Sequence, residues 1–253
     1  MHFHSIALLA TLASSVLAAP APVQAPAPDK VEKRQAAEPT YTGSAYNNLE
    51  LIAQLVTAPL QQDRIALLKD SDFTFDFRNP PGSVSVATGN AGRVVQANRR
   101  TFPALIGTGS GMAMGFLGPC GFNTPHTHPR GTELNVPVAG RLNTSMILEN
   151  GARIVNSLAD TFQLHVFPQG SIHQEFNPDC GETIFVAGFN AEDFGTSQVA
   201  DNFFRLAGDV IRASVGGNIV VDGRDVDQFK TLIPLNVAIG VEECLARCGL
   251  AKR

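Results

Sequence analysis

The chain has 253 residues, of which 44% are hydrophobic and 17% are charged, so it is long enough to bury a sizeable core in one globular domain. Its formal net charge is −4 and its basic residues never run beyond adjacent pairs, which argues against a nucleic-acid partner. The 23 glycines and 16 prolines favour a β protein with many turns.

The N-terminal residues have the pattern of a secretory signal. An apolar run that ends in small residues predicts a signal peptide over 1–18, and because this run is too short to span a bilayer, we expect no membrane span. A Pro/Ala-rich stretch over 19–34 is predicted to be a pro-segment, since Lys33 and Arg34 resemble a dibasic processing site. The mature chain would then begin near Gln35. The alternative is that the basic pair belongs only to a charged linker.

Secretion gives two other features a meaning. Four cysteines would pass through an oxidising compartment, and four cysteines allow three pairings. The sequon that begins at Asn143 predicts N-glycosylation. We therefore expect a secreted, extracellular protein.

Hydrophobic spacing divides the rest of the chain into three parts. Residues 48–68 have helical spacing broken by Pro59, which predicts one or two short helices. Between Phe73 and Phe189, short apolar or alternating runs predict eight or nine strands, the first at 73–77, and favour a sandwich or barrel. After Asn190 the spacing is helical again and predicts helices near 199–211, 229–233 and 239–250.

Two histidines and a glutamate lie close together in the middle of the chain. His126 and His128 are two positions apart, so on a strand their imidazoles would point to one face. Glu133 follows, and Gly131 could allow the turn that brings it to the same centre. This pattern predicts part of a metal site. The alternative is a pair of surface histidines on an edge loop.

His173 is the candidate fourth ligand. It follows a turn at 168–170 and opens a new extended stretch further along the chain. If that stretch forms a strand beside the first one, the four side chains would surround one ion.

These residues form two motifs that resemble those of the cupin family. The string PHTHPRGTEL at 125–134 is similar to the germin and spherulin branch in particular. The resemblance covers 48–213 and implies an all-β fold, a double-stranded β-barrel or jelly roll flanked by helices, with 214–253 as a C-terminal helical extension. The motifs are His126-x-His128-x4-Glu133-x6-Gly140 and Pro168-x-Gly170-x2-His173-x3-Asn177.

The resemblance also implies a metal and a homo-oligomer. The divalent ion, usually Mn(II), would be bound by His126, His128, Glu133 and His173. Nitrogen and oxygen ligands without thiolate suit Mn(II), with Fe(II) or another divalent ion as the alternative. Six-coordination would leave two open positions, enough for a small oxyanion or a dioxygen species. The resemblance to germins implies a trimer or a hexamer, and the apolar content of 199–250 favours such an assembly. The alternative is that these helices pack within one chain.

Two further residues are candidates for catalysis. Asn123 matches an asparagine position that germin oxidases use near the substrate, although it could equally be a turn residue. Glu175 alternates with His173 and Asn177, so all three would share the inward face. There Glu175 could accept a hydrogen bond from Asn177 or act as a base on a metal-bound water. The alternative is that a bulge carries it to the solvated rim.

The remaining expectations concern loops and the barrel wall. Cys120 and Phe162 stand at turn positions where the family usually has glycine. We expect a disulfide between Cys120 and Cys180, because both flank the ligand strands, with the other two cysteines paired together or reduced. His165 is predicted to lie at the surface or rim. Residues 112 and 114, both methionine, are predicted to fill the barrel.

Four functions compete on this basis. The first is a secreted germin-like metalloprotein with oxalate oxidase or superoxide dismutase activity. The second is a non-catalytic extracellular, cell-wall or stress-associated spherulin-like protein. The third is an oxalate decarboxylase, which is disfavoured because those enzymes resemble two fused cupin domains whereas this chain carries one pair of motifs. The fourth is a sugar-binding or storage cupin that has lost its metal, which is disfavoured because all four candidate ligands are present in this sequence.

Overall fold

The computed structural model describes residues 48–82, 86–217, 232–234 and 236–251. The predicted signal peptide, the pro-segment and most of the helix predicted near 229–233 lie outside these ranges. None of the helices within them has the length and apolar content that a membrane span requires.

The described residues form two antiparallel sheets that enclose a common core, which confirms the predicted β-barrel. One sheet has the strand order β1-β2-β3-β10-β5-β8, and the other has the order β11-β4-β9-β6-β7 with β12 added beside β4. The strands are Val86–Gly89 (β1), Gly92–Ala97 (β2), Gly111–Leu117 (β3), Gly121–Thr127 (β4), Glu133–Ala139 (β5), Leu142–Ile147 (β6), Val155–Ala159 (β7), His165–Phe167 (β8), Ile172–Phe176 (β9), Thr183–Phe189 (β10), Ser197–Gln198 (β11) and Val237–Ile239 (β12).

Short helices flank the barrel at both ends of the described chain. Asn48 caps the first helix, since its side-chain oxygen accepts a hydrogen bond from the Leu51 amide at 3.1 Å. Pro59 separates the first two helices, as predicted. The C-terminal extension is not wholly helical, because β12 joins the barrel before the last helix begins. The helices are Leu49–Thr57 (α1), Gln61–Ala66 (α2), Val199–Phe204 (α3), Gly208–Ser214 (α4) and Glu242–Arg247 (α5).

The strand predicted at 73–77 is absent. Residues Asp70–Phe73 form a 3-10 turn, in which the Asp72 carboxylate accepts a hydrogen bond from the Lys69 amide at 2.9 Å. The aromatic side chains that suggested a strand instead pack together, with Phe75 contacting Phe77 and Phe102. Local capping and ring packing therefore override the alternating pattern.

Small residues, not methionines, line the barrel along β3. A Cβ atom at Gly115 would lie 2.0 Å from the Phe185 ring, so this large ring needs a glycine opposite it. The inward positions of β3 are the odd-numbered ones, and Met112 on the other face is 41% exposed. The prediction that Met112 and Met114 fill the barrel is therefore wrong, because the residues that face inward are their neighbours, one position along the strand.

The same reversal of phase occurs at β8. His165 is buried, whereas its neighbours Leu164 and Val166 are exposed, so the prediction of a rim histidine is wrong. His165 faces inward because this side of the interior is polar, and its Nδ1 lies 2.9 Å from the Thr144 hydroxyl. Hydrophobic alternation assigns the wrong face where the inside of a barrel is hydrophilic.

The two non-glycine turn residues keep the conformation that glycine would adopt. Cys120 has a φ of 56° and Phe162 a φ of 70°, both in the left-handed region. Each costs about 1 kcal/mol relative to glycine. Cys120 is held there by a disulfide, whereas the Phe162 side chain is 79% exposed and its amide donates to the Pro137 carbonyl.

The predicted Cys120–Cys180 disulfide is wrong. Cys120 bonds to Cys244 and Cys180 bonds to Cys248, with Cα atoms 5.7 Å and 5.4 Å apart. The flanks of the two ligand strands do meet, since the Cys120 amide donates to the Asp179 carbonyl at 3.3 Å. However, Cys244 on α5 and Cys248 directly after it lie one turn apart, so each forms its disulfide with a barrel cysteine and not with the other.

Peptide mapping without reduction should show this connectivity. We expect one linked pair that contains Cys120 and Cys244 and a second that contains Cys180 and Cys248. Replacing both cysteines of either bridge with serine should lower the free energy of unfolding by about 2–4 kcal/mol, measured by urea denaturation. A linked peptide pair containing Cys120 and Cys180 would contradict the structure.

Candidate metal centre

Three strands bring the four candidate ligands to one place. His126 lies on β4 and is paired with His173 on β9, while Glu133 is the first residue of β5. His128 follows the end of β4, on the segment that crosses to β5. The pairing of β4 with β9 therefore joins the two sequence motifs.

A bulge in β4 places a further residue in the same interior. Asn123 pairs with Glu175 and His126 pairs with His173, so three steps along β4 match two steps along β9. On a regular strand, residues three apart would face opposite sides. The extra residue turns both Asn123 and His126 inward.

The ligand atoms form a tight, buried cluster. One nitrogen from each of the three histidines and one Glu133 oxygen all lie within 4.8 Å of one another. The Glu133 Oε2 atom is 2.9 Å from His128 Nε2 and 3.2 Å from His173 Nε2. Two ligands at right angles, each bonded to a metal at about 2.1 Å, would be about 3 Å apart. These separations therefore fit ligands that share one divalent ion.

Hydrogen bonds to the backbone orient each imidazole. The Nδ1 atoms of His126, His128 and His173 donate to the carbonyls of residues 124, 195 and 171 at 2.8, 2.5 and 3.0 Å. With Nδ1 held by a carbonyl, each ring directs its Nε2 atom to the centre, where that nitrogen can bind a metal ion in place of a proton. Phe167 stacks on His173, with ring centroids 4.3 Å apart, and restricts its rotation.

The electrostatics of the cluster favour a bound cation. Burial, together with the neighbouring histidines, lowers the pKa of His126 to about 3, so this ring is neutral at physiological pH. Burial alone would raise the pKa of Glu133, but hydrogen bonds with His128 and His173 hold it below its ordinary value. A neutral imidazole beside an ionised carboxylate is what a divalent metal requires. The cluster fits such an ion.

Glu175 lies deep in the barrel beside the cluster. Its side chain is 0% exposed, so the alternative of a solvated rim position is excluded. Its Oε2 accepts a hydrogen bond from Asn123 Nδ2 at 3.0 Å, and its Oε1 is 3.9 Å from His173 Nε2. Burial and the charge of Glu133 raise the pKa of Glu175 well above its ordinary value. The expected partner, Asn177, instead donates to three backbone carbonyls.

Other polar residues inside the barrel were missed by the sequence analysis. Asn135 donates to the second Glu133 oxygen at 2.9 Å and lies opposite His165 in the strand register. Its position two residues after a ligand was a usable signal, because alternate residues on a strand share a face. No comparable signal pointed to Asn236, which comes from the far end of the chain.

A small cavity adjoins the ligands. The volume available to the centre of a water molecule is about 20 Å³, so the cavity has room for about one water molecule. Its lining includes three phenylalanine rings, three of the four candidate ligands and four side-chain amides. Its lining residues are Val94, Gln96, Ala113, Asn123, His126, His128, Glu133, Phe185, Ala187, Phe189, Phe194, Thr196, Gln198 and Asn236.

Comparison with known proteins agrees with this geometry. Residues 79–226 match the family described as Cupin. This chain is a cupin of the germin-like and spherulin group. The cupin is 41% identical over 202 residues to Spherulin-1A of Physarum polycephalum, covering 80% of both chains, and 31% identical over 159 residues to Germin-like protein 1-1 of Oryza sativa subsp. japonica, covering 63% of this chain and 72% of that one. It is also similar to a solved structure of oxalate oxidase, with 25% identity, a TM-score of 0.55, and coverage of 64% of this chain and 81% of that chain.

Removal of one imidazole should remove the metal from this cupin. We expect His173→Ala to weaken metal binding by more than about 100-fold, because even partners of ligands contribute 10–100-fold. Gln174→Ala is the matched control, since the next residue on β9 points to the opposite face. Elemental analysis of both purified variants measures the bound metal. Equal metal content in the two variants would contradict this assignment of ligands.

Proposed function

We propose that this cupin is a secreted metalloprotein that binds one divalent ion, preferably Mn(II), and carries out redox chemistry on a small oxygen species. The observation that carries this proposal is the cluster of three oriented imidazoles and one carboxylate beside a small cavity. Ligands of nitrogen and oxygen without thiolate favour Mn(II) or Fe(II). When bound, such an ion supplies one-electron redox chemistry.

The size of the cavity favours superoxide as the substrate. Room for about one water molecule accommodates a diatomic ion without rearrangement of the walls. Dismutation converts two superoxide ions and two protons into dioxygen and hydrogen peroxide. The protein must therefore deliver protons to the bound oxygen species.

Asn123 and Glu175 are the residues that would handle the ligand and its protons. Asn123 lines the cavity and lies 3.4 Å from His126 Nε2, so its amide can contact a ligand at the centre. Glu175 holds that amide through its Oε2 and turns Oε1 toward His173. A carboxyl group at this position can hold or release a proton at Oε1 and fixes the orientation of Asn123.

Oxalate is the second candidate substrate. The observation in its favour is the similarity to oxalate oxidase, which covers 64% of this chain. Oxalate has six heavy atoms and needs more space than the cavity offers, so its binding would require the walls to move. Asn123 would then hydrogen-bond a bound carboxylate.

Several features support secretion. Two disulfides are typical of proteins that fold in an oxidising compartment, and a signal-like segment opens the sequence. Asn143, the predicted glycosylation site, lies on β6 opposite in phase to the buried Leu142 and Thr144, so its side chain points away from the core. We propose an extracellular or cell-wall location.

The substitution Glu175→Gln tests the proposed chemistry. It should retain the metal but lower superoxide dismutase or oxalate oxidase activity by about 100-fold or more, because the amide cannot exchange a proton. The pH profile of the residual activity should also become flatter. Gln174→Ala, on the outer face of β9, should leave activity unchanged.

Three outcomes would contradict parts of this proposal. Full turnover by Glu175→Gln would exclude the proton-handling role of Glu175. A wild type that contains stoichiometric metal but has neither activity would support the non-catalytic spherulin-like function. A wild type without metal would exclude the metalloprotein function altogether.

We also propose that the cupin forms a homo-oligomer, a trimer or a hexamer. Large apolar side chains are exposed on the outer face of the first sheet and on the α3–α4 region, including Leu134, Val166 and Val210. Exposed apolar surface of this kind usually marks an interface. Light scattering at micromolar concentration should give a mass of at least three chains, and a monomeric mass would contradict the proposal.

A further inference from the structure

The C-terminal strand, with Asn236 directly before it, forms a wall beside the cavity that adjoins the candidate ligands. β12 pairs with β4 on the side where Asn123 lies, in the register Val237 to Asn123 and Ile239 to Gly121. Val237 is buried in the main core, and a Cβ atom at Gly89 would lie 1.6 Å from the Val237 carbonyl oxygen. This close approach shows that the wall is packed tightly against the β1 strand.

Two covalent links hold this wall in place. The helix that follows β12 carries Cys244, and Cys248 comes directly after it. Their bridges to Cys120 and Cys180 join the C-terminal segment to the two loops that flank the ligand strands. The wall therefore keeps a fixed position relative to the ligands.

Asn236 is the polar side chain that this wall contributes to the cavity. It lines the same space as His126, His128 and Glu133 and is 8% exposed. Its Oδ1 atom has no hydrogen-bond partner among the described residues. A buried acceptor without a partner is unfavourable in a folded protein and calls for a ligand or water.

Each of the other amides around the cavity makes a hydrogen bond with a neighbouring side chain, although Asn123 Oδ1, like Asn236 Oδ1, has no partner among the described residues. Gln198 accepts a hydrogen bond from the Thr124 hydroxyl at 2.7 Å, and Gln96 donates to the Thr196 hydroxyl at 3.3 Å. Asn123 donates its amide hydrogen to Glu175. Asn236 is thus the cavity amide for which no hydrogen bond with a neighbouring side chain is found within the described ranges.

We propose that Asn236 binds the hydroxyl of a small oxyanion whose charged oxygen occupies the metal centre. This inference rests on the proposed metal-binding function and names the ligand class, a small oxyanion that retains one proton. The charged oxygen satisfies the cation, and the hydroxyl donates to Asn236 Oδ1. Asn236 lies beyond residues 79–226, so the family match does not account for it.

Hydrogen carbonate and nitrate distinguish this role from general anion binding. Both are planar monoanions of four heavy atoms, so either one requires the cavity walls to move by a similar amount, but only hydrogen carbonate has a hydroxyl group. With Mn(II)-loaded protein, we expect Asn236→Ala to weaken hydrogen carbonate binding by about 10-fold and to leave nitrate binding within about 2-fold. The electron paramagnetic resonance signal of the bound Mn(II) measures both affinities without any turnover.

Two further variants control for changes in the fold. Asn236→Asp keeps the shape of the side chain but adds a charge, so it should weaken both anions by repulsion. Asn156→Ala removes an exposed amide from the distant β7 strand and should change neither affinity. The metal content should be equal in all of these proteins.

The possible failures are distinguishable. A wild type that holds no metal contradicts the proposed function, on which this inference depends. A metal-loaded protein whose hydrogen carbonate affinity is unchanged in Asn236→Ala contradicts the inference alone. An equal loss of nitrate and hydrogen carbonate affinity in Asn236→Ala would overturn the hydroxyl assignment.

Discussion

The pairing between β4 and β9 is the constraint on which the site depends. It sets His126 beside His173, two residues that are far apart in sequence, and it places Asn123 beside Glu175. A shift of one residue in this register would turn one strand's inward residues to the outer face. The surrounding barrel holds the register because β9 is also paired with β6 on its other side. The relative positions of His126 and His173 are therefore a property of the sheet, whereas His128 lies on the segment that crosses to β5 in the other sheet.

The barrel interior combines two environments. One part is apolar and contains Leu117, Leu142 and Phe185, which provide hydrophobic stabilisation. The other part contains the ligands and a second group of polar side chains that includes Glu175 and His165. Such groups are costly to bury unless they are hydrogen-bonded or bind a ligand. Burial of the apolar side thus offsets the cost of burying a preorganised polar site.

Much of the fold and of the ligand set could be predicted from the sequence. The two-residue spacing of His126 and His128 predicts that both side chains lie on one face of a strand. The helical spacing of apolar residues over 48–68, interrupted by Pro59, predicts α1 and α2. The errors also have a common cause. Met112 and His165 were assigned to the wrong faces because the alternation of hydrophobic residues assumes an apolar interior, whereas here glycine lies opposite Phe185 and the polar side accepts an imidazole.

What the sequence by itself determined was the set of candidate ligands, which depends on local spacing within each motif, and, through the resemblance to cupins, the type of barrel. The tertiary structure alone decided which cysteines meet, how Asn123 turns inward, and that Asn236 reaches the cavity. Each of these depends on contacts between segments far apart in the chain: α5 against the ligand loops, a bulge defined only by the partner strand, and β12 beside β4. Local spacing carries no information about such distant contacts, since they are selected by the packing of the whole barrel.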